Sequence, residues 1–395
     1  MKILLYRYGS ICEPDILSSF REFGFEVTEL TREMSEKHML PSDAVKYVSD
    51  RLMAQPADMV FSINFFPFLA DVCNIFHIPY LCWIVDSPVM ELFADSIRLP
   101  YNRVFLFDRC MYEEIHPLNP DCVFHLPLAV NCAGKQKVIA QASAAQRRRF
   151  SADISFVGSL YTEKCAYDRI KTDNRRLIGY LDGLMQAQLK VYGYYFIEEC
   201  LTPQIVEDFK ASFEGFYQYP GETALTDAIT LSQLYLGTKI TALERLAVMR
   251  SLSERFSVDI YTGSDTGAFP RLHNRGFAKT LTEMPIIFHE STINLNMTAK
   301  SIRSAIPLRC LDIMGCEGFM ISNYQNELLE YFTPGEEMDV YGSMDELVEK
   351  CAYYLEHPNR CREIAHNGYE AVQKHFNYPL QLTRMFELAF GKKEP

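Results

Sequence analysis

The stretch Asn294–Leu328 reads NLNMTAKSIRSAIPLRCLDIMGCEGFMISNYQNEL, and its alternation decides the fold. Ile293–Leu295 is a short β-rich run. Pro307 opens a helical pattern that Gly315 closes, and Phe319–Ile321 is a second β-rich run. A strand, a covering helix and a further strand make a parallel unit. The polar residues are unevenly placed. Lys300, Arg303 and Arg309 lie before or on the helix, and no acid stands between Glu290 and Asp312. Asp312 sits in the otherwise apolar run Leu311-Asp312-Ile313-Met314-Gly315, where a carboxylate without partners is costly to bury. Two readings are open. One is an i,i+3 surface pair of Arg309 with Asp312. The other is a carboxylate that grips a ribose diol, with basic residues near phosphates.

The same alternation extends in both directions. Toward the amino end, Lys2–Tyr6, Phe25–Leu30, Met59–Ile63, Tyr80–Val85, Arg103–Phe107 and Cys122–Leu126 read as strands. Glu13–Phe23, Ala44–Met53 and Leu69–Phe76 read as helices between them. Short apolar strands separated by helices imply a parallel sheet covered on both faces. A second set begins with the strand Ile154–Val157. It continues with Val258–Thr262, Pro285–Phe288 and the elements above, and ends in helices Asp345–Glu356, Arg360–His375 and Pro379–Phe390. The expected organisation is an amino-terminal Rossmann-like domain over 1–133 and a basic linker over 134–151. A second α/β domain over 152–376 carries a helical stretch at about 162–255, and a last helix lies in 377–395. Two doubly wound parallel sheets facing a cleft are the fold class these patterns predict, with ligands at the carboxyl ends of strands.

Composition narrows the function classes. The 395 residues are 48% hydrophobic and 23% charged with a net charge of −12, which is globular and lowers the prior for nucleic-acid binding. After residue 150 there are 33 acidic and 24 basic residues, so most of the acidic excess lies there. The twelve cysteines include no Cys-x2-Cys pair and no zinc-ligand spacing. The start, MKILLYRYGS, reads as a first strand and not a leader, so the expected compartment is a reducing cytoplasm. Ile63–Val85 holds a single carboxylate over 23 residues, but Pro67, Pro79, Asn64, Asn74 and His77 argue against a membrane span. The basic run Lys135, Lys137, Arg147, Arg148 and Arg149 reads as a solvated face, with peripheral docking to an acidic membrane or a polyanionic acceptor as the sharper alternative.

Strand-ending residues are the site candidates. Gly158-Ser159 and Gly263-Ser264 each follow a strand, where a glycine lets the backbone approach a ligand and a following helix offers N–H groups to an anion. Asp86 and Asp108 each end an amino-domain strand, and each also reads as a turn or helix cap. Asn64 ends a third strand. His116 and His125 lie nearby as candidate partners for a donor phosphate or an acceptor hydroxyl.

The segment SIRSAIPLRCLDIMGCEGFMISNY, with ELLEYFTPGEEMDVYGSMDELVEKCAYYLEHPNRCREIAHNGYEAV after it, resembles the carboxyl half of the CgeB-like spore-maturation-protein glycosyltransferases. MVFSINFFPFLADVCNIFHIPYLCWIVDSP, RVFLFDR and HLPLAVN, followed by DISFVGSLY, are similar to the domain that commonly precedes it. The resemblance covers nearly the whole chain, most weakly about 165 to 255. It implies a bacterial GT-B enzyme with a nucleotide-sugar donor (UDP-, GDP- or dTDP-linked) on the carboxyl domain and no required cofactor or metal. The absence of an Asp-x-Asp motif agrees with the last point. A metal-free site balances the leaving diphosphate with N–H groups and cations, here Lys300, Arg303, Arg309 and the two Gly-Ser turns. Asp312 aligns with the second Glu of the Glu-x7-Glu motif of retaining GT-B enzymes, which binds ribose. The first Glu falls at Ser304, a departure that leaves retention and donor contacts open. Arg309 and Gly158 match family positions.

The acceptor side would then carry Asp86, Asp108 and His125, with Phe61, Phe65, Phe66, Phe68 and Trp83 offering core or sugar-stacking rings. The expected acceptor is a hydroxyl of a protein (flagellin, surface-layer or spore-coat) or of a glycan, with no nucleic-acid partner. The last helix is expected to cross back to the first domain, again by resemblance. The alternatives are a catalytically silent GT-B subunit that binds a partner enzyme or glycan, a sugar-nucleotide epimerase, and a Rossmann oxidoreductase. The last is weak because only Tyr8-Gly9-Ser10, and no Gly-x-Gly-x-x-Gly, follows the first strand.

Overall fold

The computed structural model describes residues 1–37 and 39–391. Residues 392–395 of the expected carboxyl-terminal helix lie outside the described residues. The chain divides into two compact units. The first comprises residues 1–129, 219–225 and 378–395, and the second 130–218 and 226–377.

In the first unit, β1 (Lys2–Tyr6), β2 (Glu26–Leu30), β3 (Met59–Ile63), β4 (Tyr80–Trp83), β5 (Asn102–Leu106) and β6 (Val123–His125) form one sheet in the order β2-β1-β3-β4-β5-β6. Every pairing is parallel. The interior strands β3 and β4 are buried along their whole length, which is why they read as nearly continuous apolar runs, with Ser62 the one polar residue in them. Order reverses between β1 and β3, so the crevice at their carboxyl ends is the topological switch point. The run Ile63–Val85 resolves into the end of β3, the helix Pro67–Phe76 and β4. No helix among the described residues is long and apolar enough to cross a membrane. The helix Tyr378–Phe390 belongs to this unit, with Phe386 against Phe20 and Phe25 and Tyr378 edge-on to Trp83.

The second unit carries β7 (Ala152–Val157), β8 (Val258–Tyr261), β9 (Leu272–Asn274), β10 (Ser291–Asn296), β11 (Met320–Asn323) and β12 (Asp339–Tyr341), ordered β12-β11-β10-β7-β8-β9 and parallel throughout. Its core joins Ile154, Phe156, Ile260, Ile293, Leu295 and Ile321. Residues 132–150 form two helices, Cys132–Ala140 and Ala144–Phe150, joined by residues 141–143, and belong to this unit. Ser143 and Gln146 close a reciprocal cap at the start of the second helix.

The helical stretch has its own core of Leu177, Leu181, Ile197, Phe209, Tyr235 and Ile240. Its piece 219–225 clusters with the first unit. There Ala224 N–H donates to Phe93 O at 2.8 Å, and Thr223 Oγ1 donates to the same carbonyl at 2.9 Å.

Pro285–Phe288, expected as a strand, lies in the helix Met284–Glu290. Met284 through Phe288 are all buried. A helix buried on every side loses its polar face, and with it the periodicity that separates helix from strand.

Candidate active site

Three strand exits of the second unit, those of β7, β8 and β10, carry the expected donor residues. After β7, Ser159 Oγ donates to Glu163 Oε1 at 2.7 Å and accepts from Tyr161 N–H at 2.7 Å. After β8, Ser264 Oγ donates to Glu163 Oε2 at 2.8 Å and accepts from Leu160 N–H at 2.8 Å. One carboxylate therefore ties the two Gly-Ser turns together. Burial pushes the Glu163 carboxyl up, but the bonds from Ser159, its own backbone, Ser264 and Thr162 outweigh it and hold the group below the ordinary carboxylate range. Glu163 escaped sequence reasoning because its partners come from two strands.

Gly263 sits under the ring of Phe277, which is 86% exposed. A Cβ at Gly263 would lie 2.1 Å from that ring. The ring is free to swing into solvent, so Gly263→Ala should move Phe277 while changing stability by less than about 0.5 kcal/mol. Chemical denaturation checks the stability, and the shifted ring resonances of Phe277 check the movement. A larger loss would show that Phe277 is held in place.

Below these turns lies Arg245, on the helix Gly237–Ser253 and only 8% exposed. Its guanidinium donates to Ser159 O at 2.5 Å through Nη1 and to Met297 O through Nη2. It also covers the Tyr161 and Phe156 rings at 4.7 and 5.4 Å. One cation thus fastens the exits of β7 and β10. Burial lowers its pKa against the raising effect of Tyr161 and Glu244. Its Nε is buried with no acceptor among the described residues.

Next to it, Glu244 pairs with Lys300 Nζ at 3.0 Å, and Lys300 N–H donates to Thr241 Oγ1 at 2.9 Å. Lys300 also lies over the Tyr192 ring. Sequence reasoning named Lys300 but missed Glu244 and Arg245. The available signal was Ile240, Glu244 and Val248, one helical row in which an acid interrupts two buried apolar residues.

Asp312 is buried on the helix Leu308–Gly315. Its Oδ1 accepts from Lys135 Nζ at 2.6 Å, and its Oδ2 lies 3.6 Å from Arg309 Nη1. The i,i+3 contact with Arg309 is thus present but loose, and the close partner comes from the helix Cys132–Ala140. Arg309 also lies over the Phe288 ring at 5.3 Å. Ser304 Oγ donates to Glu327 Oε1 at 2.7 Å, so a carboxylate from the β11 exit stands against the serine. Arg303 and Lys300 line a narrow pocket with Tyr195, Tyr324 and Gln325.

In the first unit the expected acceptor residues lie at the ends of three neighbouring strands, β4, β5 and β6, but differ in exposure and partners. Asp108 is fully buried and accepts Met111 N–H at 3.2 Å as the N-cap of the helix Arg109–Ile115. His125 ends β6 with Tyr112 beside it at 6.1 Å. His116 Nδ1 is 3.1 Å from Val123 O. Asp86 is exposed, and its Oδ2 accepts from Asn64 Nδ2 at 2.7 Å. The same nitrogen donates to Tyr8 Oη at 2.9 Å. Tyr8, Asn64 and Asp86 follow β1, β3 and β4, so they gather at the switch point. Phe61, Phe65 and Trp83 are buried core, whereas Phe66 and Phe68 are half-buried.

Residues 244–387 match the family described as Glycosyl transferase-like. That span starts at Glu244 and contains Arg245, Lys300, Arg309 and Asp312. No curated protein is detectably similar in sequence. Among solved structures, the chain is similar to Anabaena Alr3699/HepE in complex with UDP-glucose, with 10% identity, 98% of each chain covered and a TM-score of 0.54. It is similar to sucrose-phosphate synthase from Thermosynechococcus elongatus at 11% identity, 98% of each chain and a TM-score of 0.53. It is also similar to a UDP-forming trehalose-phosphate synthase from Burkholderia xenovorans at 12% identity, 100% of this chain and 99% of the other, with a TM-score of 0.53. At these identities the likeness establishes the fold, the two-sheet GT-B architecture.

Proposed function

We propose that this chain is a metal-independent glycosyltransferase that moves a sugar from a nucleotide-sugar donor to an acceptor hydroxyl. The observation that carries the reading is a coincidence of place. The glycosyl transferase-like match begins at the Glu244-Arg245 pair and runs through Lys300, Arg303, Arg309 and Asp312. These are the residues that gather cations and a carboxylate at the strand ends of the second unit. The CgeB-like motif quoted above and the UDP-glucose held by the Anabaena protein support a nucleotide-sugar donor.

The chemistry assigns roles. The acceptor hydroxyl oxygen forms a bond to the anomeric carbon as the bond from that carbon to the diphosphate breaks. The diphosphate takes the electron pair, and the hydroxyl proton passes to an oxygen of the departing diphosphate on the same face of the sugar, as retention requires. Charge grows on the diphosphate, so the N–H groups of Ser159 and Gly263, with Lys300, Arg303 and Arg309, stabilise it most where water is excluded, while the Gly158 and Ser264 N–H groups hold the turns through Tyr261 O and Thr262 Oγ1. Asp312 takes the ribose diol. Glu327 behind Ser304 supports retention, since it returns a carboxylate to the position where the motif has lost one. No disulfide joins the twelve cysteines among the described residues, ten of which are buried, and this supports a reducing cytoplasm. The acceptor hydroxyl belongs to a protein or a glycan.

One observation favours a silent subunit instead: Lys300 and Asp312 already hold charged partners, Glu244 and Lys135. A thermal-shift screen against UDP, GDP, dTDP, CMP and their sugar conjugates, with and without magnesium, separates the two. Ligand at a hundred times its dissociation constant adds about 2.7 kcal/mol to the folded state. We expect one nucleotide series to stabilise the chain without magnesium, and slow release of free sugar from the matching donor. No shift with any of them would establish the silent subunit.

A further inference from the structure

The switch-point cluster of the first unit has a chemistry of its own. Asn64 holds a left-handed backbone (φ 56°), a conformation that costs a non-glycine residue energy and here follows a buried strand directly. The backbone around it is secured: Asn64 N–H donates to Trp83 O at 2.9 Å, and Ser62 Oγ donates to Asn64 O at 2.7 Å. The carboxamide orientation is fixed as well. Val85 N–H donates to Asn64 Oδ1 at 3.0 Å, so the amide nitrogen must face the other way, toward Tyr8 and Asp86. Both of its hydrogens are used, one on Tyr8 Oη and one on Asp86 Oδ2. A single strained residue therefore sets a phenol and a carboxylate a few ångström apart at the carboxyl edge of the sheet.

We propose that Tyr8, Asn64 and Asp86 form the acceptor subsite, and that the acceptor is a neutral carbohydrate presenting two adjacent hydroxyls. The proposal rests on the glycosyltransferase reading above and names its acceptor class. Tyr8 and Asp86, bridged by one nitrogen, match the scale on which neighbouring ring hydroxyls are spaced, and a carboxylate accepts from both hydroxyls of a diol. The half-buried ring of Phe66, packed edge-on to Tyr8 at 5.5 Å, offers an apolar face for the C–H side of a pyranose.

Charge argues against a phosphorylated acceptor. Arg7, the cation at the β1 exit, is held by Glu13 at 3.0 Å and by Glu29 at 2.5 Å. Glu13 also takes the Tyr8 and Gly9 N–H groups. A phosphate arriving here would meet Asp86 and find this arginine and these amides engaged. An uncharged polyol meets no such penalty. Asn64 acts as a positioning residue for Asp86 as well as a wall of the subsite.

The test is ligand-observed NMR on the full chain. Methyl glycosides of glucose, galactose and mannose are titrated beside their 6-phosphates and a serine- and threonine-rich peptide. The parent chain is compared with Asp86→Asn and Asn64→Gly. Glycine accepts the left-handed backbone, so the second variant removes the bridge without straining the turn. The expected result is binding of at least one neutral glycoside, weakened about tenfold or more in both variants, with the nucleotide-induced thermal shift unchanged. The subsite is overturned if no neutral glycoside binds, if the phosphates or the peptide bind in preference, or if both variants bind the glycoside as the parent does. If the nucleotide shift is absent while glycoside binding still depends on both residues, the transferase reading fails and the carbohydrate subsite stands.

Discussion

Arg245→Leu should lower the stability of the second unit by about 3 kcal/mol, and its melting temperature by about 6–12 °C at about 2–4 °C per kcal/mol. The size follows from what the guanidinium satisfies. Two carbonyls, Ser159 O and Met297 O, accept from it. Leaving a buried acceptor unpaired costs about 1–3 kcal/mol each. Contact with the Tyr161 and Phe156 rings adds about 0.5–2 kcal/mol. Against this stands relief from burying a cation, which offsets part of the loss. Arg245→Lys should recover little, because a point charge on a flexible stem does not span two carbonyls as a planar fork does. The loss should also reach the donor side. Ser159 belongs to the turn tied by Glu163, so nucleotide binding should weaken in Arg245→Leu even where the chain remains folded. Calorimetry and a nucleotide titration read the two effects separately. A variant that melts within a degree or two of the parent would remove Arg245 as the clamp of these exits.

That clamp illustrates which parts of the molecule could be read from sequence. Strands β3, β4, β7 and β10 were legible because burial concentrates β-branched and large apolar residues along them, broken only by small polar residues such as Ser62, Ser155 and Asn294. β9 and β12 were not, because Leu272–Asn274 and Asp339–Tyr341 are three-residue edge strands that owe their conformation to a neighbour. The helix Met284–Glu290 was misread for the converse reason, since apolar residues on all sides erase its period. At the site, the glycines and serines that end strands were visible from their positions. Their organisers were not. Glu163 joins turns about a hundred residues apart in sequence, Glu244 meets Lys300 across 56 residues, and Lys135 meets Asp312 across 177. Residue type announces a cation or an acid, but only packing says which charge is already neutralised. Asp108 shows the same limit. It stood where a strand-ending acid should, and its carboxylate serves the helix behind it.

The pair Lys135–Asp312 allows the two readings of that carboxylate to be separated by experiment. The side chains are 17% and 11% exposed, so the pair is largely desolvated. Removing one partner leaves the other charge poorly compensated, since Arg309 at 3.6 Å is the remaining cation for Asp312. We expect Lys135→Met to cost about 2–4 kcal/mol and Asp312→Asn a similar amount, with the double variant losing about 1–3 kcal/mol less than the sum. Those losses say only that the pair is structural. Nucleotide binding adds the second axis. Lys135 holds Oδ1, and a ribose diol needs the carboxylate itself and not the lysine. If Asp312 takes the ribose, the nucleotide-induced thermal shift should collapse in Asp312→Asn and persist in Lys135→Met, which frees the oxygen that the lysine occupied. A purely structural aspartate predicts something else: both variants melt lower and both keep the full shift. Equal loss of the shift in both would make the pair a support for the site's shape, and the diol contact would have to be sought elsewhere on the exits of the second sheet.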